Sequence, residues 1–201
     1  MLPVRIVQLV NHVGDPFDRV RHLPTALGLL LTTSLHLLRD QPHVLRALHD
    51  QLRAASLLGG RGGDLLDRER IAEVVNRVLP DGVIHFASFA YVGESVTDPA
   101  KYWRNNVTGA INLLDALVGS DAPPVVFSSS CTVYGMTDAD FIAESVSVAP
   151  INPYGNTKRA IEIMLKDYEV ATDLRHVVLR YFNAAGCDAD GEIGEVHDPE
   201  T

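Results

Sequence analysis

Cysteine is scarce in this 201-residue chain, with only Cys131 and Cys187. Their spacing suits neither a zinc site nor a disulfide framework, so both read as small core residues. A long apolar run is also lacking. The longest, Ala26 to Leu38, is broken by Thr32, Thr33, Ser34 and His36 and is too short to span a bilayer. It lies behind Asp15 and Asp18, too far from the N-terminus to read as a secretory signal. The expected compartment is therefore the cytoplasm. There is no excess of positive charge. The net charge is −9, with ten Arg or Lys against eight Asp or Glu in residues 1–80 and seven against eighteen beyond. That balance excludes a nucleic-acid binder, and the acidic residues, interleaved with apolar runs, read as a solvated surface. Five of the eight histidines, His12, His22, His36, His43 and His49, crowd the first 58 residues. None of them forms the paired helical pattern of a zinc site, so no metal is expected. There is no internal repeat and no low-complexity linker.

Two textures remain. Residues 1–61 form an atypical N-terminal segment, irregular or helical, with one candidate strand at Val4 to Val10. From Leu27 to Leu52 apolar residues recur at three- and four-residue steps, a helical pattern interrupted near Pro42. From residue 62 to 201 short apolar runs alternate with amphipathic segments. Helices are expected at Asp67 to Val78, Tyr102 to Val118 and Pro153 to Ala171, and strands at Val83 to Ala87, Pro124 to Phe127 and His176 to Leu179. The second helix would bury Val107, Ile111, Leu114 and Leu117, and the third Ile161, Met164, Leu165 and Tyr168. Such alternation implies an α/β fold, a doubly wound parallel sheet of Rossmann-like form, incomplete in this chain.

Ligands in such sheets sit beyond the carboxyl ends of the strands. There the sequence turns from apolar to polar: Ser88 and its neighbours, Ser128 to Ser130, and Tyr181 to Asn183. Tyr154 and Lys158 stand four residues apart on the third helix, so their side chains share a face. An ammonium beside a phenol favours the phenolate and turns Tyr154 into a base. Ser130, 24 residues earlier, and Thr132 would place hydroxyls opposite it.

Six ordered motifs carry a resemblance: His85-Phe86-Ala87, Val92-Gly93-Glu94-Ser95-Val96, Asn105-Asn106-Val107, Ser128 through Gly135, Pro153 through Lys158, and Leu179 through Asn183. In this order they resemble UDP-glucose 4-epimerases, of the epimerase/dehydratase branch of extended short-chain dehydrogenases, over about Gly62 to Thr201. The resemblance implies inversion at carbon 4 of a UDP-hexose through a transient 4-keto sugar with bound NAD, as in galactose metabolism. It makes Tyr154 the base and acid at the sugar hydroxyl, Lys158 its partner, and Ser130 the group orienting the sugar oxygen. Cofactor contacts are implied for Asp64, Leu65, Phe86, Ala87, Ser88, Asn105, Ser128, Tyr154, Lys158 and Tyr181. Substrate contacts are implied for Ser130, Thr132, Tyr154, Phe182 and Asn183. Relatives dimerise through the helices equivalent to 102–118 and 154–171, so a homodimer is expected. Related dehydratases carry an Asp-Glu pair after the strand-end Thr; here Val133 and Tyr134 follow Thr132, which disfavours elimination.

The resemblance also has gaps. The family's Gly-x-x-Gly-x-x-Gly after the first strand, which lets a backbone approach pyrophosphate, is missing: only Gly14 and Gly28 precede Gly59. Gly59 to Gly63 reads as a loop. The substrate domain that lies beyond this point in relatives is expected to be absent. The alternative to an active epimerase is an inactive fragment of one, serving at most as an interaction module.

Overall fold

The computed structural model describes residues 6–9, 63–138 and 141–183. The segments set apart as helical around Pro42, the glycine-rich run before Gly63, the first five histidines and Cys187 lie outside these residues. Four strands form one parallel sheet in the order β1 (Ile6–Leu9), β2 (Gly82–His85), β3 (Val125–Ser130) and β4 (His176–Tyr181). The candidate strand at Val4 to Val10 is thus present as β1, paired with β2 from Ile6 opposite Gly82 to Leu9 opposite His85. Strands added in sequence order with helical crossovers are what one half of a doubly wound sheet requires.

Helix α1 (Arg68–Val78) begins where the Asp67 side chain accepts from the Arg70 amide at 3.0 Å. It buries Ile71 and Val75. Between β2 and β3 come α2 (Val92–Thr97), α3 (Pro99–Tyr102), a π-helical turn at Trp103–Thr108 and α4 (Gly109–Val118). The helix expected from Tyr102 to Val118 is present as part of one continuous helical run, with the π turn inside it. The wider π turn rotates the rest of the helix, so Ile111, expected inside, is 38% exposed, and Leu113 joins Leu114 and Leu117 in the core. Helix α5 (Pro153–Ala171) has the expected bounds. Pro153 opens it, where a missing N–H costs nothing, and Asn152 caps it by accepting from Gly155 N at 2.8 Å. It buries Ile161 and Leu165, with Met164 and Tyr168 packed beside them.

The core joins Val83, Val125 and Phe127 of the sheet to Leu113, Leu117, Ile161 and Leu165 of α4 and α5. Two strands run longer than expected. β3 continues through Ser128, Ser129 and Ser130, and β4 through Arg180 and Tyr181. The three serines are ladder residues, with Ser129 opposite Arg180 and Ser130 opposite Tyr181. Hydroxyl side chains do not end a strand whose neighbour still offers backbone partners.

Candidate active site

The strand alternation sorts the serines. Ser129 shares a sheet face with Phe127, and Ser128 and Ser130 share the other. Ser130 is buried, and its hydroxyl accepts from the Thr132 amide at 3.2 Å and the Thr132 hydroxyl at 3.0 Å. A 3₁₀ turn, Cys131–Tyr134, comes next and closes at Gly135. Tyr154, in the first turn of α5, is 8% exposed, and its phenol is within reach of the Ser130 hydroxyl. One turn on, Lys158 is 2% exposed. Its ammonium donates to Ser88 Oγ and to the Ser128 carbonyl, both at 2.8 Å. Thus Ser88, Ser128, Ser130, Thr132, Tyr154 and Lys158 converge on the ends of β2 and β3.

The electrostatics differ from the expected pairing. Burial pushes the Tyr154 phenol above its ordinary range, and the hydrogen bond from Ser130 opposes this. Lys158 gives its hydrogen bonds elsewhere, with Nζ 5.6 Å from the centroid of the Tyr154 ring. Burial lowers Lys158 to about 7, since a dry site disfavours the ammonium. The expected lowering of Tyr154 by Lys158 is therefore not what this geometry produces.

Other expected contacts are spread around this centre. Ala87 is buried, and the rings of Phe86 and Tyr181 stack at 6.4 Å. Leu65 is buried and its carbonyl accepts from Asn112 Nδ2 at 2.8 Å, while the exposed Asp64 accepts from the Leu66 amide at 2.9 Å. Asn105 donates to Asn106 Oδ1 at 2.9 Å. Phe182 is 57% exposed, and Asn183 is exposed too. His85 is 3% exposed and packs on Phe127 at 5.5 Å between centroids. Burial, with the Lys158 charge, lowers it to about 3.

Sequence reasoning missed two groups. Asn106, within the π turn, is fully buried; it accepts from the Phe89 amide at 2.8 Å and donates to the Phe89 carbonyl at 3.0 Å and to Thr157 Oγ1 at 3.2 Å. It fastens the loop after β2 to α5 between Tyr154 and Lys158. The second is Glu162, 2% exposed, which lies eight residues after Tyr154 on the buried stripe of α5. A charged residue at a position where the helical period demands an apolar one is the signal that marks it. Among the described residues no cluster of His, Cys, Asp and Glu could hold a metal ion, and no helix is long and apolar enough to cross a membrane.

A parallel sheet with a helix-borne Tyr and Lys facing strand-end hydroxyls defines an α/β domain of the Rossmann-like class. The chain belongs to the NAD dependent epimerase/dehydratase family, whose sequence model matches residues 29–196 and so reaches back before Gly62. UDP-glucose 4-epimerase of Rhizobium meliloti (strain 1021) is 51% identical over 139 residues, 69% of this chain and 42% of that protein. The crystal structure of UDP-glucose 4-epimerase from Brucella ovis in complex with NAD is 56% identical, with a TM-score of 0.67 over 70% of this chain and 43% of that one. The enzyme from Bifidobacterium longum, in complex with NAD+ and UDP, is 37% identical, with a TM-score of 0.64 over 67% of this chain and 41% of that one. The chain spans about 42% of the length of these curated relatives.

Proposed function

We propose that the chain carries the acid–base half of an NAD-dependent UDP-sugar 4-epimerase. The observation that supports this best is the placing of the buried Tyr154 phenol beside Ser130, with the buried Lys158 one helical turn away. The residues suit a nicotinamide dinucleotide. Lys158 gives two N–H groups to Ser88 and Ser128, and its third suits a ribose hydroxyl. When bound, the cofactor supplies reversible oxidation of the sugar carbon. The protein's part is orientation and proton transfer. Ser130 would hold the sugar 4-oxygen; Tyr154 Oη, as the phenolate that a cationic nicotinamide beside it would favour, would take the proton of that hydroxyl, and the same oxygen would return it once the keto sugar has turned its other face. A Tyr buried to 8% exposure keeps bulk water from competing for that proton.

Phe86, Ala87, Asn105 and Tyr181, with Asp64 and Leu65 at the adenine end, complete the proposed cofactor contacts. Thr132, Phe182 and Asn183 serve the UDP-sugar. The exposed apolar residues Trp103 in the π turn and Ile111 on α4, and Ile163 and Val170 on α5, support association of two copies through 102–118 and 154–171. The site chemistry uses small soluble metabolites, consistent with a cytoplasmic setting. Equilibrium dialysis of the purified chain with NAD, followed by turnover of UDP-glucose to UDP-galactose, tests the reading. Binding with turnover is expected; no cofactor retained at saturating NAD ends it.

A further inference from the structure

The Glu162 carboxylate is enclosed by donors from three segments. Ser129 Oγ donates to Oε1 at 2.6 Å. Arg180 donates twice, through Nε to Oε1 at 2.9 Å and through Nη2 to Oε2 at 2.7 Å. Arg159 Nη1 adds a fourth bond at 3.2 Å. Burial alone would raise this carboxyl, but the Arg180 and Ser129 hydrogen bonds hold it below the ordinary range. The Arg180 guanidinium also lies 4.8 Å from the centroid of the Tyr134 ring.

An ion pair that buries its carboxylate is a poor way to gain stability; Glu162 is 2% exposed and Arg180 21%. Desolvation consumes most of the attraction, and well-packed apolar residues of similar size hold as well or better. The neighbouring buried positions of α5, Ile161 and Leu165, are filled in that simpler way. What the ion pair provides that an apolar contact does not is a fixed register, because a bidentate fork tolerates little sliding. The segments it joins are the ones that carry the site. Ser129 precedes Ser130 on β3. Arg180 precedes Tyr181, which stands opposite Ser130 in the ladder. Tyr134 closes the turn that leaves Ser130. Glu162 itself is four residues from Lys158 and eight from Tyr154 on one uninterrupted helix, so a shift of α5 along its axis at Glu162 is passed undiminished to Tyr154.

We propose that Glu162 is a positioning residue: its fork with Arg180, closed by Ser129, sets the register of α5 against the ends of β3 and β4 and thereby holds the Tyr154 hydroxyl on Ser130. This deepens the proposed acid–base site and rests on that reading for its catalytic meaning, though not for its geometry.

The test uses the full chain with 3-fluorotyrosine in place of tyrosine and reads the fluorine resonance of Tyr154, assigned by its loss in Tyr154→Phe. Ser130→Ala gives the shift that marks loss of the Tyr154–Ser130 bond. The double variant Glu162→Met with Arg180→Met replaces the ion pair by apolar groups. It is expected to fold, though with the buried Ser129 hydroxyl left without its acceptor, and to move the Tyr154 resonance toward the Ser130→Ala position. A resonance that stays at the parent position in the folded double variant overturns the proposal, since a merely structural pair leaves Tyr154 in place. If the double variant does not fold, Ser129→Ala, which keeps the ion pair and removes one link, is expected to move the resonance in the same direction; no movement there overturns the proposal as well. Turnover is read separately. The double variant should lose about tenfold to a hundredfold in kcat, the cost of misplacing a reacting group by about an ångström, with KM changed far less. A parent chain without turnover would sink the epimerase reading while leaving the fluorine result to decide the register.

Discussion

Lys158 and Tyr154 share a face of α5, yet the ammonium bonds to Ser88 and Ser128 and not to the phenol. Burial therefore raises the Tyr154 phenol with no opposing contribution from Lys158. Tyr154 is left to Ser130 for its one stabilising hydrogen bond.

Removing the phenol tests this directly. Tyr154→Phe should reduce epimerisation by about 10² to 10⁴-fold, the usual worth of a positioned acid–base group, while NAD binding by dialysis is retained. Unchanged turnover would refute the proposed base.

The buried lysine makes a prediction about stability. Its folded pKa is about 7, against 10.5 unperturbed. Between those values the unfolded chain binds more protons, so folded stability rises with pH from 7 to 10.5. Lys158→Met removes this dependence. The stability of the variant minus that of the parent, from urea unfolding, should fall by up to about 1.4 kcal/mol per pH unit across the window. A constant difference would mean that the ammonium is solvated.

His85 acts at the acid end. Its folded pKa is about 3, against 6.5 unperturbed, so the unfolded chain again binds more protons between those values. Stability is complete above 6.5 and is lost as the pH falls toward 3. Glu162, depressed below 4.5, adds a loss of the same sign only as the pH falls below that value. Urea unfolding at pH 5, 6 and 7 should show the acid slope reduced in His85→Leu. Equal slopes in parent and variant would place the protonation elsewhere.

Asn106 should matter more to the fold than its size suggests. Asn106→Leu strands the Phe89 amide and carbonyl, at about 1–3 kcal/mol for each unsatisfied buried group, while Thr157 keeps its bond to the Tyr154 carbonyl. A loss of at least about 2 kcal/mol in urea unfolding is expected; a loss within error of zero would mean that the loop after β2 does not depend on it.

Gly135 ends the turn after Ser130 with φ of 72°, and a Cβ there would lie 2.1 Å from the Ala149 carbonyl oxygen. Gly135→Ala should therefore cost more than the ~1 kcal/mol of a left-handed alanine alone, seen as a lower melting temperature. An unchanged melting temperature would show that the 149–151 segment can move aside.

Much of this was legible in the residues. The bounds of α5 followed from Pro153 and the apolar stripe of Ile161, Met164, Leu165 and Tyr168, because helical period is a local property. The convergence of Ser130, Tyr154 and Lys158 followed from strand ends and the i, i+4 rule. The π turn after Tyr102 did not, since it leaves the apolar count intact while rotating Ile111 outward. Nor did the extent of β3, because a serine's place in a ladder depends on the partner strand.

The sequence by itself determined the alternation of strands and helices, the stripe that turns Tyr154, Lys158 and Glu162 toward the sheet, and the polar change at each strand end. These are matters of period and side-chain chemistry within a few residues. Only the tertiary structure decided which donors meet the Glu162 carboxylate, that Lys158 answers to Ser88 and Ser128, and that the Tyr154 phenol is raised and not lowered. Burial and hydrogen-bond partners belong to segments far apart in the chain, and their free energies exist only once those segments are packed together.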